Sequence, residues 1–132
     1  MVFMNMLEKI ENPVPYQTIK DIVTWIEEDL TRAMPVIKIA EKSGYSPWYL
    51  QRLFKKVTGY TLVGYIRARR MTVAAELLRS STLSISEIYL HVGFDDHSSF
   101  CRNFMRHFGV TPSTCRSKPE KISSKVIIPP DL

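Results

Sequence analysis

The segment SGYSPWYLQRLFKKVTGYT at residues 43–61 returns as VGFDDHSSFCRNFMRHFGVT at residues 92–111. Gly44-Tyr45 is echoed by Gly93-Phe94 at a spacing of 49, and Leu50, Arg52, Phe54, Gly59 and Thr61 by Phe100, Arg102, Phe104, Gly109 and Thr111 at a spacing of 50. One extra residue, in Asp95-Asp96, accounts for the change. Each copy reads as a short helix, a Gly-aromatic turn and a longer helix, which is helix-turn-helix organisation. Local signals agree. Ser46 and Pro47 form an N-cap and first-turn pair for a helix that Gly59 stops, and Asp95 or Asp96 caps a second that runs to about Phe108 and ends at Gly109.

Around these copies the pattern stays helical. Ile19, Ile22, Val23, Ile26 and Leu30 keep helical spacing behind Thr18 and Asp21, which read as a capping box. A short helix fits Val36–Ser43, closed by Gly44. Leu62–Ser80 carries no proline and an apolar stripe of Leu62, Ile66, Val73, Ala74, Leu77 and Leu78. Ser84 and Glu87 form another capping box before Ile88, opening a short helix that ends at Gly93. The only strand-like run is at residues 126–128, so the fold class is all-α. The expected organisation is a flexible N-terminal arm at 1–17, a first helix-turn-helix subdomain at 18–61, a connector helix at 62–80, a second subdomain at 81–116 and a tail at 117–132.

Each longer helix has two faces. Leu50, Leu53, Phe54 and Val57 share one side, suited to a core; Trp48, Gln51, Arg52 and Lys55 share another. An aromatic, an amide and two cations suit base edges and phosphates, since Arg bonds guanine O6 and N7, Gln bonds adenine, and Trp packs on thymine methyls. A solvated face with one partly buried Trp fits the same row. The basic flank of Lys55, Lys56, Arg67, Arg69 and Arg70 favours DNA. In the second copy Phe100, Phe104 and Phe108 form the core face, and Ser98, Cys101, Arg102 and Met105 take the outward positions. Candidate base readers are therefore Trp48, Gln51, Arg52, Ser98, Cys101 and Arg102; candidate phosphate ligands are Lys55, Lys56, Arg67, Arg70 and Arg106. His97 is either an exposed polar residue beside the cap or a base contact.

Composition sets the outer bounds. A chain of 132 residues with 45% hydrophobic and 23% charged side chains is ordinary globular material for one domain or two very small ones. No apolar run reaches the ~18 residues of a membrane span, and the start lacks a basic and then hydrophobic leader. Two cysteines, Cys101 and Cys115, make no disulfide framework and fit a reducing cytoplasm. The net charge of +5 is uneven: −2 over residues 1–44, +6 over 45–116 and +1 over 117–132.

With these residues in view the chain resembles the AraC/XylS transcription regulators, and within them the small single-domain activators of the MarA, SoxS and Rob type. The resemblance runs from about Thr18 to Arg116 and is carried by SGYSPWYLQRLFKKVTG at 43–59, YIRARRMTVAAELL at 65–78, and GF at 93–94 followed by SFCRNFMRHFGVTP at 99–112. It implies an AraC-type DNA-binding domain at 18–116, with two helix-turn-helix subdomains placing recognition helices in successive major-groove segments of one asymmetric site. Trp48, Gln51 and Arg52 match the family's base-contacting positions, and Arg102 matches one in the second helix. A 19-residue connector spans roughly 28 Å, comparable to the ~34 Å turn of B-DNA. Two positions depart from the family pattern: Tyr89 stands where a small Ala is usual, and Cys115-Arg116 replaces a Tyr-Arg ending. The resemblance further implies promoter DNA and RNA polymerase as partners, no effector ligand and no cofactor, a nucleoid-associated monomer, and control of stress or antibiotic-resistance genes.

Other classes fit less well. Asp95, Asp96, His97, Ser98 and Ser99 include hydrolase residue types, but consecutive helical residues diverge by about 100° and do not converge as a triad. No Gly-rich phosphate loop or HExxH occurs. His97 and Cys101 share a face, with His107 and Cys115 farther on, yet the spacing matches no common zinc site. A helical protein-interaction module using Trp48 and Tyr49 is the main alternative to DNA, and steep salt dependence separates the two.

Overall fold

The computed structural model describes residues 6–132, with the backbone alone at 123–125. Among these residues the ordered elements are helical: α1 (Met6–Glu11), α2 (Pro13–Glu28), α3 (Val36–Ser43), α4 (Pro47–Thr58), α5 (Leu62–Ser80), α6 (Ile85–His91), α7 (His97–Phe108), α8 (Pro112–Ser117) and a short 3-10 helix at Pro119–Lys125. The all-α expectation stands, and residues 126–128 are not a strand. The described chain divides into two compact units. One takes the residues up to Asp29 with Ala33–Ile66 and Pro129–Leu132; the other takes Leu30–Arg32 and Arg67–Ile128.

In the first unit α2, α3 and α4 pack on one another. Ile19, Ile22, Val23 and Ile26 of α2 meet burial demands together with Ile39 and Ala40 of α3 and the Leu50, Leu53, Phe54, Val57 face of α4. The start of α5 adds Leu62, Ile66 and Tyr65, whose ring lies 5.7 Å from that of Phe54 and whose hydroxyl donates to Glu27 Oε2 at 2.7 Å. α2 begins five residues before the cap expected at Thr18. Thr18 Oγ1 instead donates back to Val14 O at 3.0 Å inside the helix. The prolines that suggested a loose arm, Pro13 and Pro15, sit in the first turn, where a missing N–H costs nothing because those donors have no partner within the helix. α1 likewise occupies part of the expected arm, while residues 1–5 of it lie outside the described residues. At the other end α2 stops at Glu28, so Leu30 is not its fifth apolar position.

The second unit is built on a chain of aromatic contacts, Phe94 to Phe100 to Phe104 to Phe108, with centroid spacings of 5.6, 5.7 and 4.8 Å. Met71, Ala74, Ala75 and Leu78 of α5 complete this core with Ile88, Val92, Cys115 and Ile122. α5 is more deeply buried than one apolar stripe predicts, because Ala68, Arg69, Met71, Thr72 and Ala75 are buried as well. The expected tail contributes too. Ile122 is fully buried, the Ile127 N–H donates to Thr72 Oγ1 at 3.0 Å, and Ile127 O accepts from Arg69 Nη1.

Guanidinium groups fasten the turns of this unit. Arg116 donates to the carbonyl of Leu78, in the last turn of α5 where acceptors have no partner in the helix, and to those of Ser81 and Leu83 in the turn after it. Cys115 beside it is enclosed in the core, so the departure from Tyr-Arg preserves both a buried side chain and the carbonyl clamp. Arg70 donates from Nε to Leu30 O at 3.0 Å and from Nη2 to Arg32 O at 2.8 Å. The group expected to face phosphate is thus half-buried, with these two donors committed to backbone. Gly93, with φ +87, closes the same corner, and a Cβ there would stand 2.8 Å from Leu30 O and 3.3 Å from the Arg70 guanidinium.

That crowding gives a test. Gly44, at φ +79, has nothing within 4 Å of an added Cβ, so Gly44→Ala should cost the left-handed strain alone, about 1–2 kcal/mol. Gly93→Ala adds a carbonyl clash and should cost clearly more in chemical denaturation; equal losses would show that the corner yields freely.

Candidate nucleic-acid interface

The first candidate surface is set by capping. Gly44 takes the left-handed conformation that ends α3, Ser46 Oγ accepts the Tyr49 N–H at 3.1 Å, and Pro47 occupies the first turn of α4. This fixes the helix start, and burial of Leu50, Leu53, Phe54 and Val57 fixes its rotation. Trp48, Gln51, Arg52 and Lys55 are left exposed on one row, as the sequence predicts, with Trp48 64% exposed. The Arg52 guanidinium lies over the Trp48 ring, 4.8 Å from its centroid, and Gln51 Nε2 donates to Pro47 O at 3.1 Å. Arg stacked in this way keeps its donors in the ring plane direction free while losing little side-chain freedom on binding.

A groove of about 950 Å³ runs beside this row, lined by Trp48, Gln51, Arg52, Lys55 and Lys56 and also by Tyr49, Gly59 and Thr61. Reading one helical row did not reach the last three, which come from the neighbouring face of α4 and the turn after it. Lys56 also pairs with Glu8 of α1 at 2.8 Å, both side chains partly exposed.

The second surface repeats the construction. Asp96 Oδ1 accepts the Ser99 N–H at 2.7 Å to cap α7, and Gly109 at φ +76 ends it. Of the two aspartates that fitted the pattern, the second is the cap. Phe100, Phe104 and Phe108 point into the core, leaving Ser98, Arg102 and Arg106 exposed and Met105 43% exposed. Cys101 departs from the expected outward position. It is half-buried, packs against the core, and lies with Sγ 3.4 Å from His97 Nε2; burial pushes its thiol up from the ordinary value. Tyr89 of α6 fills the space that a small residue would leave, its ring 5.9 Å from Phe100 and 6.3 Å from His97. α6 and α7 remain packed with it in place.

Among the flanking cations Arg67 is exposed, whereas Arg69 and Arg70 are spent on the carbonyls of Ile127, Leu30 and Arg32. Among the described residues no three His, Cys, Asp or Glu side chains form a metal-holding group, and no helix is long and apolar enough to cross a membrane.

A helix-turn-helix domain model matches residues 29–118, and the regulatory protein SoxS of Escherichia coli K12 is 42% identical over 100 residues, 76% of this chain and 94% of SoxS. The chain belongs to the AraC family. As a member it is a DNA-binding transcription regulator and not an enzyme. The TetD protein of transposon Tn10 from Escherichia coli is 52% identical over 98 residues, covering 74% of this chain and 71% of TetD. Among solved structures, the C-terminal domain of the response regulator AraT from Geobacillus stearothermophilus matches with a TM-score of 0.72 at 28% identity, over 84% of this chain and 88% of that domain. These likenesses agree with the paired helix-turn-helix reading of the AraC-family chain.

The two thiols offer a check on the geometry. Because burial raises the Cys101 thiol, alkylation of the native protein should be slow at neutral pH, and the midpoint of its rise in rate with pH should lie above that of a free cysteine. Cys115, with no exposed surface, should label only on unfolding. Rapid native labelling of Cys115, read by mass spectrometry, would contradict the core described above.

Proposed function

We propose that this chain is a transcription activator that binds one asymmetric promoter site as a monomer, through α4 and α7 in the major groove, and recruits RNA polymerase. Its setting is the cytoplasm and its targets are genes of stress or antibiotic resistance, a reading supported by the likeness to SoxS over nearly all of that protein's length. The single observation that carries the DNA role is the exposed row Trp48, Gln51, Arg52 and Lys55 on a helix whose opposite face is buried. The monomer follows from the repeat, which gives one chain the two reading helices that other helix-turn-helix proteins obtain by dimerising. The functional division follows it too: a first reading subdomain at 18–61, a connector at 62–80 and a second reading subdomain at 81–116.

In this reading Trp48, Gln51 and Arg52 read bases in the first half-site and Arg102 in the second, with Ser98 beside it and Cys101 limited by its half-buried position. Lys55, Lys56, Arg67 and Arg106 contact phosphates. Phosphate contacts set register and affinity, and base contacts set preference. Arg52→Ala should therefore cost about 1–3 kcal/mol on a selected site and relax one base pair, measured by binding to a series of single-base variants. Equal loss on selected and random duplexes would remove Arg52 from the readers.

The two helices are unequal. α4 presents four long polar or aromatic side chains in a row, whereas α7 presents Ser98, a half-buried Cys101, Arg102 and Met105. Duplexes selected from a random library, footprinted and then saturated with base changes, should show one asymmetric footprint of about two helical turns with the larger penalties in the α4 half. A palindromic footprint with two chains bound would overturn the monomer, and comparable penalties in both halves would overturn the asymmetry.

A further inference from the structure

Lys56 belongs to two surfaces of the first unit. It lines the groove beside Trp48 and Arg52, and it also lines a smaller cleft of about 170 Å³ where α1 and the start of α2 meet α4. In that cleft the Glu8 carboxylate stands 2.8 Å from the Lys56 ammonium, with Glu11 lining the same space. The pair is 47% and 36% exposed, so it is held loosely enough for another anion to replace it.

We infer that Glu8 is a positioning residue for DNA contact: its carboxylate occupies the Lys56 ammonium in place of a phosphate and thereby weakens the grip of α4 on any duplex. The inference rests on the reading of Lys56 as a phosphate ligand. When DNA arrives, Lys56 exchanges one anion for another. The phosphate sheds its condensed counterion, and the Glu8–Lys56 ion pair is given up in exchange. The lost pair is subtracted from the affinity that the contact supplies, most at low salt, where an exposed pair is strongest. α1 lies outside the two helices of the reading motif, so its acidic side chain acts on binding strength and leaves base preference alone.

The test is a double-mutant cycle on the full chain, with binding to a random-sequence duplex measured across a range of salt. Glu8→Gln should tighten binding about twofold to fivefold at low salt, the range set by an exposed ion pair. It should also steepen the slope of log affinity against log salt, because the gain shrinks as rising salt screens the pair that the substitution removes. A purely structural role for Glu8 moves stability and leaves that slope unchanged. In a Lys56→Ala background the gain should disappear. If Lys56→Ala weakens binding but Glu8→Gln changes neither affinity nor slope, the inference is overturned while Lys56 keeps its role. If Glu8→Gln tightens binding equally in both backgrounds, the carboxylate acts by general repulsion and the inference is again overturned. If Lys56→Ala itself is silent, the reading of Lys56 falls and the inference with it.

Discussion

α4 and α7 each have to bury one side and leave the opposite side bare, and the rest of the structure follows from that demand. In α4 the inner side is Leu50, Leu53, Phe54 and Val57; in α7 it is Phe100, Phe104 and Phe108. Burial of each such side chain stabilises by roughly 1.5–3 kcal/mol, enough to fix rotation about the helix axis. Once rotation is fixed, the bearing of Trp48, Arg52 and Arg102 is fixed with it. The caps at Ser46 and Asp96 set position along the axis, since a helix that starts one residue later would carry every outward side chain through about 100°.

Much of this was legible in the sequence because capping is local chemistry. The Ser46 and Ser84 caps, the return of Glu87 to the Ser84 N–H, and the terminating Gly44, Gly59 and Gly109 all stand where residue types within three or four positions place them. The misreadings share a cause in the other direction. Pro13 and Pro15 punctuate a chain anywhere except in the first turn of a helix, and nothing local distinguished that turn. α5 looked like one stripe because periodicity needs a polar side to be visible, and here Thr72 and Arg69 are buried beside Met71. Arg67, Arg69 and Arg70 looked alike as basic flank. What separates them is which direction around α5 meets a backbone carbonyl, and those carbonyls belong to residues 30, 32 and 127, far away in the chain.

The two copies of the motif have diverged without loss of the inner construction. The second carries Ser98 and Met105 on the outside and a half-buried Cys101 where the first carries longer polar or aromatic side chains, and it concentrates aromatic rings on the inside. Tyr89 fits because it joins those rings, packing on Phe100 at 5.9 Å. A substitution that adds volume is costly in a core already filled, and here the added ring lies at its margin, partly exposed.

Arg69, Arg70 and Arg116 each turn donors to backbone carbonyls. A carbonyl is neutral, so the field of each guanidinium still extends outward over a Debye length of about 10 Å at moderate salt. Such charges draw a polyanion in but offer it nothing to hold. In the proposed DNA complex steering and gripping are thus separate: these three arginines bear on how fast a duplex is met, and the exposed side chains of α4 and α7 on how long it is kept.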